Sequence, residues 1–174
     1  LATDQKTTDW EYEGTQYWVA GAKYNFNAVA PLANGGWTKT AATKDATTLA
    51  FTNNGTTDLL YAYATAEGKA EGNDPVAFTF RHTLSKVKFS FENAYNATNA
   101  TIKVREVKIT DAYATGNVVL TDATAWSTQD GKLELAFGNA VADDATSTDA
   151  LAFAYNTTLE SYNELFMIPG AGPT

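Results

Sequence analysis

Two short runs of alternating apolar and polar residues, set out of phase with each other, constrain this chain more than any other feature. Between Asp74 and Glu92 the sequence reads DPVAFTFRHTLSKVKFSFE. Val76, Phe78, Phe80 and Leu84 share one parity, and Val87, Phe89 and Phe91 share the other. A period of two sends successive side chains to opposite faces of a strand. A slip of one residue turns every side chain over. The switch near His82–Lys86 therefore predicts a β-bulge or a crossing from one sheet into another. The stretch is expected to be the longest strand region and the centre of a β-sandwich, with Phe78, Phe80, Val87, Phe89 and Phe91 buried.

The rest of the chain carries the same signature in shorter pieces. Residues 1–15 are polar and predict a flexible lead-in. Gln16–Val19 is a short candidate strand. Lys23–Ala30 alternates cleanly, with Tyr24, Phe26, Ala28 and Ala30 on one face, and Pro31 ends it. Asn34-Gly35-Gly36 marks a turn, and the Thr/Lys/Ala-rich residues 37–47 predict a loop. Leu49–Thr52 and Leu59–Ala64 are strands, followed by a polar loop over 65–75. Thr101–Thr110 holds a second phase switch near Arg105–Glu106. Asn117–Leu120 and Lys132–Phe137 are strands, and Asp130-Gly131 predicts a hairpin turn. Residues 138–149 form a long polar loop before Ala150–Tyr155 and Leu165–Ile168. No segment holds a 3.6-residue apolar period between capping signals, so an all-β fold is expected.

Composition limits the chemistry. There is no Cys and one His in 174 residues, which removes thiolate nucleophiles, disulfides and Cys-based metal sites. A triad would have to be built on His82, and no Gly-x-Ser-x-Gly turn supports one. The expectation is a packed, hydrogen-bonded histidine with no metal. Asp143, Asp144 and Asp149, with Thr146 and Thr148, offer oxygen ligands in one loop, but not at calcium-loop spacing. Trp10, Tyr12, Tyr17, Trp18, Trp37 and Trp126 could stack on sugar rings or pack as core. Sequons at Asn54, Asn96, Asn99 and Asn156 fall in turns or at strand ends. A net charge of −8 argues against nucleic acid as a partner. The basic residues gather at Arg81, Lys86, Lys88, Lys103, Arg105 and Lys108, as expected for strands whose outer faces discourage edge pairing, with a ligand-binding basic patch as the alternative. No membrane-spanning run is present. The residues thus point to a structural or binding role: no catalytic residue, cofactor or metal site is expected.

Five segments in a fixed order carry a resemblance: YNFNAVAP (Tyr24–Pro31), LLYAYAT (Leu59–Thr65), FTFRHTLSKVKFSFEN (Phe78–Asn93), VREVKITDAYATGNVVL (Val104–Leu120) and ELFMIPG (Glu164–Gly170). Together they resemble the fimbrillin-like subunits of type V pili of Bacteroides-type bacteria. The resemblance implies a transthyretin-like Greek-key β-sandwich over residues 16–122 and the first part of a second β-domain over 123–174. It implies export as a lipoprotein precursor, display on the outer membrane surface, and polymerisation with other fimbrial subunits by β-strand exchange. It also implies a role in cell adhesion, with a host or bacterial receptor as a further partner, and no enzymatic activity. The chain holds no lipobox Cys and stops soon after ELFMIPG, as expected of a processed or partial precursor. A surface glycan-binding β-sandwich module is the alternative function.

Overall fold

The computed structural model describes residues 4–5, 10–11, 17–43, 46–72, 74–96, 102–104, 107–138, 151–153, 158–160 and 163–170. Every regular element among them is a strand. In chain order these are β1 (Asp4–Gln5), β2 (Trp10–Glu11), β3 (Lys23–Ala30), β4 (Trp37–Ala42), β5 (Thr47–Thr52), β6 (Leu60–Glu67), β7 (Arg81–His82) and β8 (Ser85–Val87). They continue as β9 (Ser90–Glu92), β10 (Ile102–Val104), β11 (Lys108–Leu120), β12 (Ala125–Ala136), β13 (Leu151–Phe153), β14 (Thr158–Glu160) and β15 (Leu165–Met167). All pairings are antiparallel. One sheet runs β12-β11-β5-β4, a second runs β3-β6-β7, and four two-stranded ladders pair β1 with β2, β8 with β15, β9 with β14 and β10 with β13.

The two larger sheets pack face to face. Leu49 and Phe51 of β5, with Val118 and Leu120 of β11, meet Leu59 and Tyr61 from the β6 side, and Leu84 and Ile168 complete this first core. Asn27 Nδ2 donates to Thr47 Oγ1 at 3.3 Å across the same gap. Odd-numbered residues of β3 and β6 therefore point at β5, and even-numbered ones point away. A second core gathers around the other end of the β11–β12 hairpin. Val107, Ala112, Leu135, Phe137 and Leu165 form it, with Val87, Phe89, Phe91 and Met167 packed against it. Burying apolar faces between sheets in this way is the main stabilising term of a sandwich.

The centre of the fold differs from the expectation. The longest strands are β11, with 13 residues, and β12, with 12. The Asp74–Glu92 stretch is broken into β7, β8 and β9, and residues 74–80 join no ladder. Its phase switch is the crossing. β7 pairs with β6 in one sheet, whereas β8 pairs with β15 in another ladder. At the crossing Thr83 donates both its N–H (2.9 Å) and its Oγ1 hydroxyl (2.8 Å) to Leu59 O, and Trp126 Nε1 donates to Thr83 O at 3.0 Å. The chain is pinned where its side chains change faces.

Phe78 and Phe80 are 37 % and 38 % exposed rather than buried. The β6–β7 register pairs Tyr61 with Arg81, and continuing it sets residues 80 and 78 beside Ala62 and Ala64. That places both rings on the outward face, where Phe78 meets Phe26 edge to face at 6.3 Å. Val87, Phe89 and Phe91 are half-buried against the second core.

Other departures have local causes. Tyr17–Val19 form no strand, and Gln16 lies outside the described residues. Residues 37–42, expected as loop, are the edge strand β4; Thr, Lys and Ala suit its solvent side, and only Trp37 is even half-buried. Asp130-Gly131 is not a turn but lies inside β12, with Gly131 at φ +69°. The hairpin turns instead at 121–124. The second switch, at Arg105–Glu106, lies outside the described residues; β10 before it pairs with β13 and β11 after it with β12 and β5.

A turn following β5 ties the two cores together. Asn53, only 4 % exposed, donates its backbone N–H to Ala114 O at 2.8 Å and its Nδ2 to Phe166 O at 3.1 Å. Its Oδ1 accepts from Gly55 N at 2.9 Å, and Phe166 N donates to Gly55 O at 2.8 Å. Gly55 has φ +76°, and a Cβ there would stand 2.6 Å from Leu135 Cδ2. Both backbone freedom and space require glycine.

Candidate functional site

His82 ends β7, opposite Leu60 in register, and its Nδ1 is in hydrogen-bonding contact with Asp58 Oδ2. The ring is hydrogen-bonded as expected, but it is not packed: the side chain is 70 % exposed. Thr83, one residue on, takes the buried place at the crossing. Among the described residues no group of three or more His, Asp or Glu is arranged to hold a metal ion. Asp143, Asp144, Thr146, Thr148 and Asp149 lie outside the described residues.

The basic cluster is neutralised by acids that sequence distance concealed. Lys86 meets Glu164 from the strand pair β8–β15, and Lys88 reaches the same carboxylate at 3.9 Å. Arg81 stands 3.9 Å from Asp122 at the β11–β12 turn, and Lys108 is 3.3 Å from Glu134 across that hairpin. The hydrogen bond from Lys86, and then its charge, hold the Glu164 carboxyl below its ordinary pKa. Lys69 does the same for Asp74, at 2.7 Å. Paired cations of this kind do not make an open anion site. The side chains of Lys103 and Arg105 lie outside the described part.

The aromatic residues divide. Trp37 and Trp126 pack against the first core, with indole N–H groups satisfied by Pro31 O and Thr83 O. Trp18 is half-buried over the outward face of β3, 4.9 Å from Tyr24 and 5.7 Å from Phe26. These rings stand at 69° and 44° to each other, and Phe26 meets Phe78 at 80°. Tyr24 and Phe26 lie 6.3 Å apart at 30°, so the rings of this face pack against one another in tilted and edge-to-face contacts. Tyr17 is 84 % exposed and stands outside that cluster of rings. Tyr12 lies outside the described residues, as do Asn99 and Asn156. Asn54 heads a turn in which its Oδ1 accepts from Thr56 N and Thr57 N at 2.9 and 2.8 Å.

What the geometry does present is sheet margin. Among the described residues the four-stranded sheet ends in β4 and β12, and the three-stranded sheet ends in β3 and β7. Strand edges carry backbone donors and acceptors that another extended chain can complete. Neither β4 nor the full length of β12 is visible in composition. Two buried side-chain oxygens among the described residues have no hydrogen-bond partner, Asn27 Oδ1 and Asp58 Oδ1, and the first lies on the edge strand β3.

A family model described as fimbrillin-like matches residues 1–171. Neither the curated proteins nor the solved structures contain a significant match.

Proposed function

Because the chain belongs to the fimbrillin-like family, whose members are structural pilus subunits, we propose that it is a building unit of a bacterial surface fimbria that joins its neighbours by β-strand addition and supports cell adhesion. The match over residues 1–171 is the observation that carries this reading, since it spans both cores and every sheet described. Family membership implies a cell-surface pilus and association with other pilus subunits. Strand addition, a transthyretin-like Greek-key connectivity and lipoprotein export to the outer membrane are the finer parts of the proposal.

Physical support for strand addition lies in the margins of the sheets. A strand at an open edge gains main-chain hydrogen bonds from a partner strand, and alternating side chains set the specificity. Immunogold labelling of the producing cells with antibody to this chain tests the proposal. Label is expected along the length of surface appendages. Label confined to the cell body, with appendages bare, would contradict it.

A further inference from the structure

The sequence holds two Asn-Gly pairs, Asn34-Gly35 and Asn54-Gly55. Asn followed by Gly is the pair most open to cyclisation, because no side chain on the second residue shields its backbone nitrogen. That nitrogen can close onto the side-chain amide carbon once the two are free to approach. The structure treats the two pairs differently. Asn54 is tied through both polar atoms of its side chain. Its Oδ1 accepts from Thr56 N at 2.9 Å and Thr57 N at 2.8 Å, and its Nδ2 donates to Thr57 Oγ1 at 2.8 Å. The nitrogen that would attack is held as well, since Gly55 N donates to Asn53 Oδ1 at 2.9 Å.

Asn34 stands in the link between β3 and β4. It is exposed, and its side chain makes no hydrogen bond among the described residues. Local geometry nevertheless calls for both members of the pair. Asn34 has φ +56°, a left-handed conformation that Asn tolerates better than most residues. Gly35 is buried, and a Cβ there would collide with Pro31 O and Trp37 Nε1. Those two atoms are themselves bonded, Trp37 Nε1 donating to Pro31 O at 2.8 Å. The turn thus needs a residue at ease at positive φ followed by one without a side chain. An Asn-Gly pair meets both needs and brings its chemistry with it.

We infer that Asn34 is a site of spontaneous deamidation and that Asn54 is protected by its turn. Gly35 N bonds to Asn34 Cγ, and its proton passes to hydroxide. Asn34 Nδ2 takes a proton from water and leaves as ammonia. A second water then opens the cyclic imide at one of its two carbonyls, leaving aspartate or isoaspartate. Either product adds a negative charge to the β3–β4 link. Isoaspartate also carries the main chain through the former side-chain carbon, one methylene longer. The turn that must take up this extra length is closed by the Trp37–Pro31 bond and by Thr52 N donating to Gly36 O at 2.7 Å. The link joins the three-stranded sheet to the four-stranded one, so the modified protein should be the less stable form.

Peptide mapping of the purified chain tests this. Folded protein and a sample unfolded in guanidinium are held in the same mildly alkaline buffer. The peptides carrying residues 34 and 54 are followed by mass and by reaction with an isoaspartate-specific methyltransferase. In the folded protein Asn34 should convert at least about tenfold faster than Asn54, because the Asn54 turn must open first. Unfolding should bring the two rates within about threefold of each other, since both pairs then lie in a chain without fixed structure. Equal rates in the folded protein, or faster conversion at Asn54, would overturn the inference. So would an Asn34 that converts only after unfolding. An Asn34→Gly variant gives a second readout, because it keeps the positive φ and removes the amide. Aged wild type should melt at a lower temperature than fresh protein, whereas the variant should show no such fall. An equal fall in both, or none in fully converted wild type, would contradict the effect on the β3–β4 link.

Discussion

The two cores of this sandwich share the β11–β12 hairpin and are closed in different ways. The first lies between a four-stranded and a three-stranded sheet, and Leu49, Phe51, Leu59, Val118 and Leu120 are each at most 1 % exposed. The second is closed by the three-residue ladders β8–β15 and β9–β14, and Val87, Phe89 and Phe91 stay half-buried. Within it Phe137, Ala112 and Leu135 are sealed, at 0 %, 1 % and 2 %, while Val107 and Leu165 are each 8 % exposed. Alternating sequence is present at both ends. Ladder length and the presence of an opposing sheet decide how completely it is buried. The aromatic contacts do not separate the two cores: the sealed Phe51 meets the partly buried Trp126 at 5.8 Å, and the sealed Phe137 meets the partly buried Phe89 at 4.9 Å.

That difference can be broken by truncation. Phe51→Ala should cost about 3–5 kcal/mol in denaturant unfolding, the usual range for a sealed aromatic. A cost below about 1 kcal/mol would mean that the first core is not the main one. Asn53→Ala should come next, at about 2–3 kcal/mol, because it strands the buried Gly55 N–H and removes the bond to Phe166 O. Phe89→Ala should cost about 2 kcal/mol, less than Phe51→Ala because its ring is only partly buried, and Phe78→Ala less than about 1 kcal/mol. The order Phe51, Phe89, Phe78 is the sharp test; reversal of any pair contradicts the burial pattern.

The smallest effect belongs to the exposed charges. Glu164 has a pKa lowered by the hydrogen bond and charge of Lys86. A carboxyl with a lowered folded-state pKa adds stability above its unfolded value and loses it as pH falls through the folded one. The stability difference between the wild type and Glu164→Gln, measured by urea melts across pH, should therefore be present at neutral pH and vanish below the ordinary carboxylate range. Solvent screening keeps it the least of the set. A difference that grows in acid would contradict the pairing.

Much of the fold was legible in the residues. Lys23–Ala30 shows strict alternation closed by Pro31, and β3 occupies that span. The phase switch at His82–Lys86 is a true change of sheet. What alternation does not encode is which face meets a partner sheet. Phe78 and Phe80 have the pattern of core residues and lie on the outward face, because β6 directs Leu59 and Tyr61 inward. β4 was hidden by a composition without large apolar residues after Trp37. The turn signal of Asp130-Gly131 was overridden by a ladder that continues past it to Val118↔Trp126.

Denaturant-dependent hydrogen exchange of the isolated chain tests the unequal closure of the two cores most directly. Amides bonded in the β5–β11 ladder, residues 47–52 with 115–120, should exchange only through global unfolding. Amides of the β8–β15 and β9–β14 ladders should open at lower free energy and lower denaturant dependence, as a separate cooperative unit. Equal protection of both sets, or slower exchange in β8 and β9 than in β5, would contradict the account.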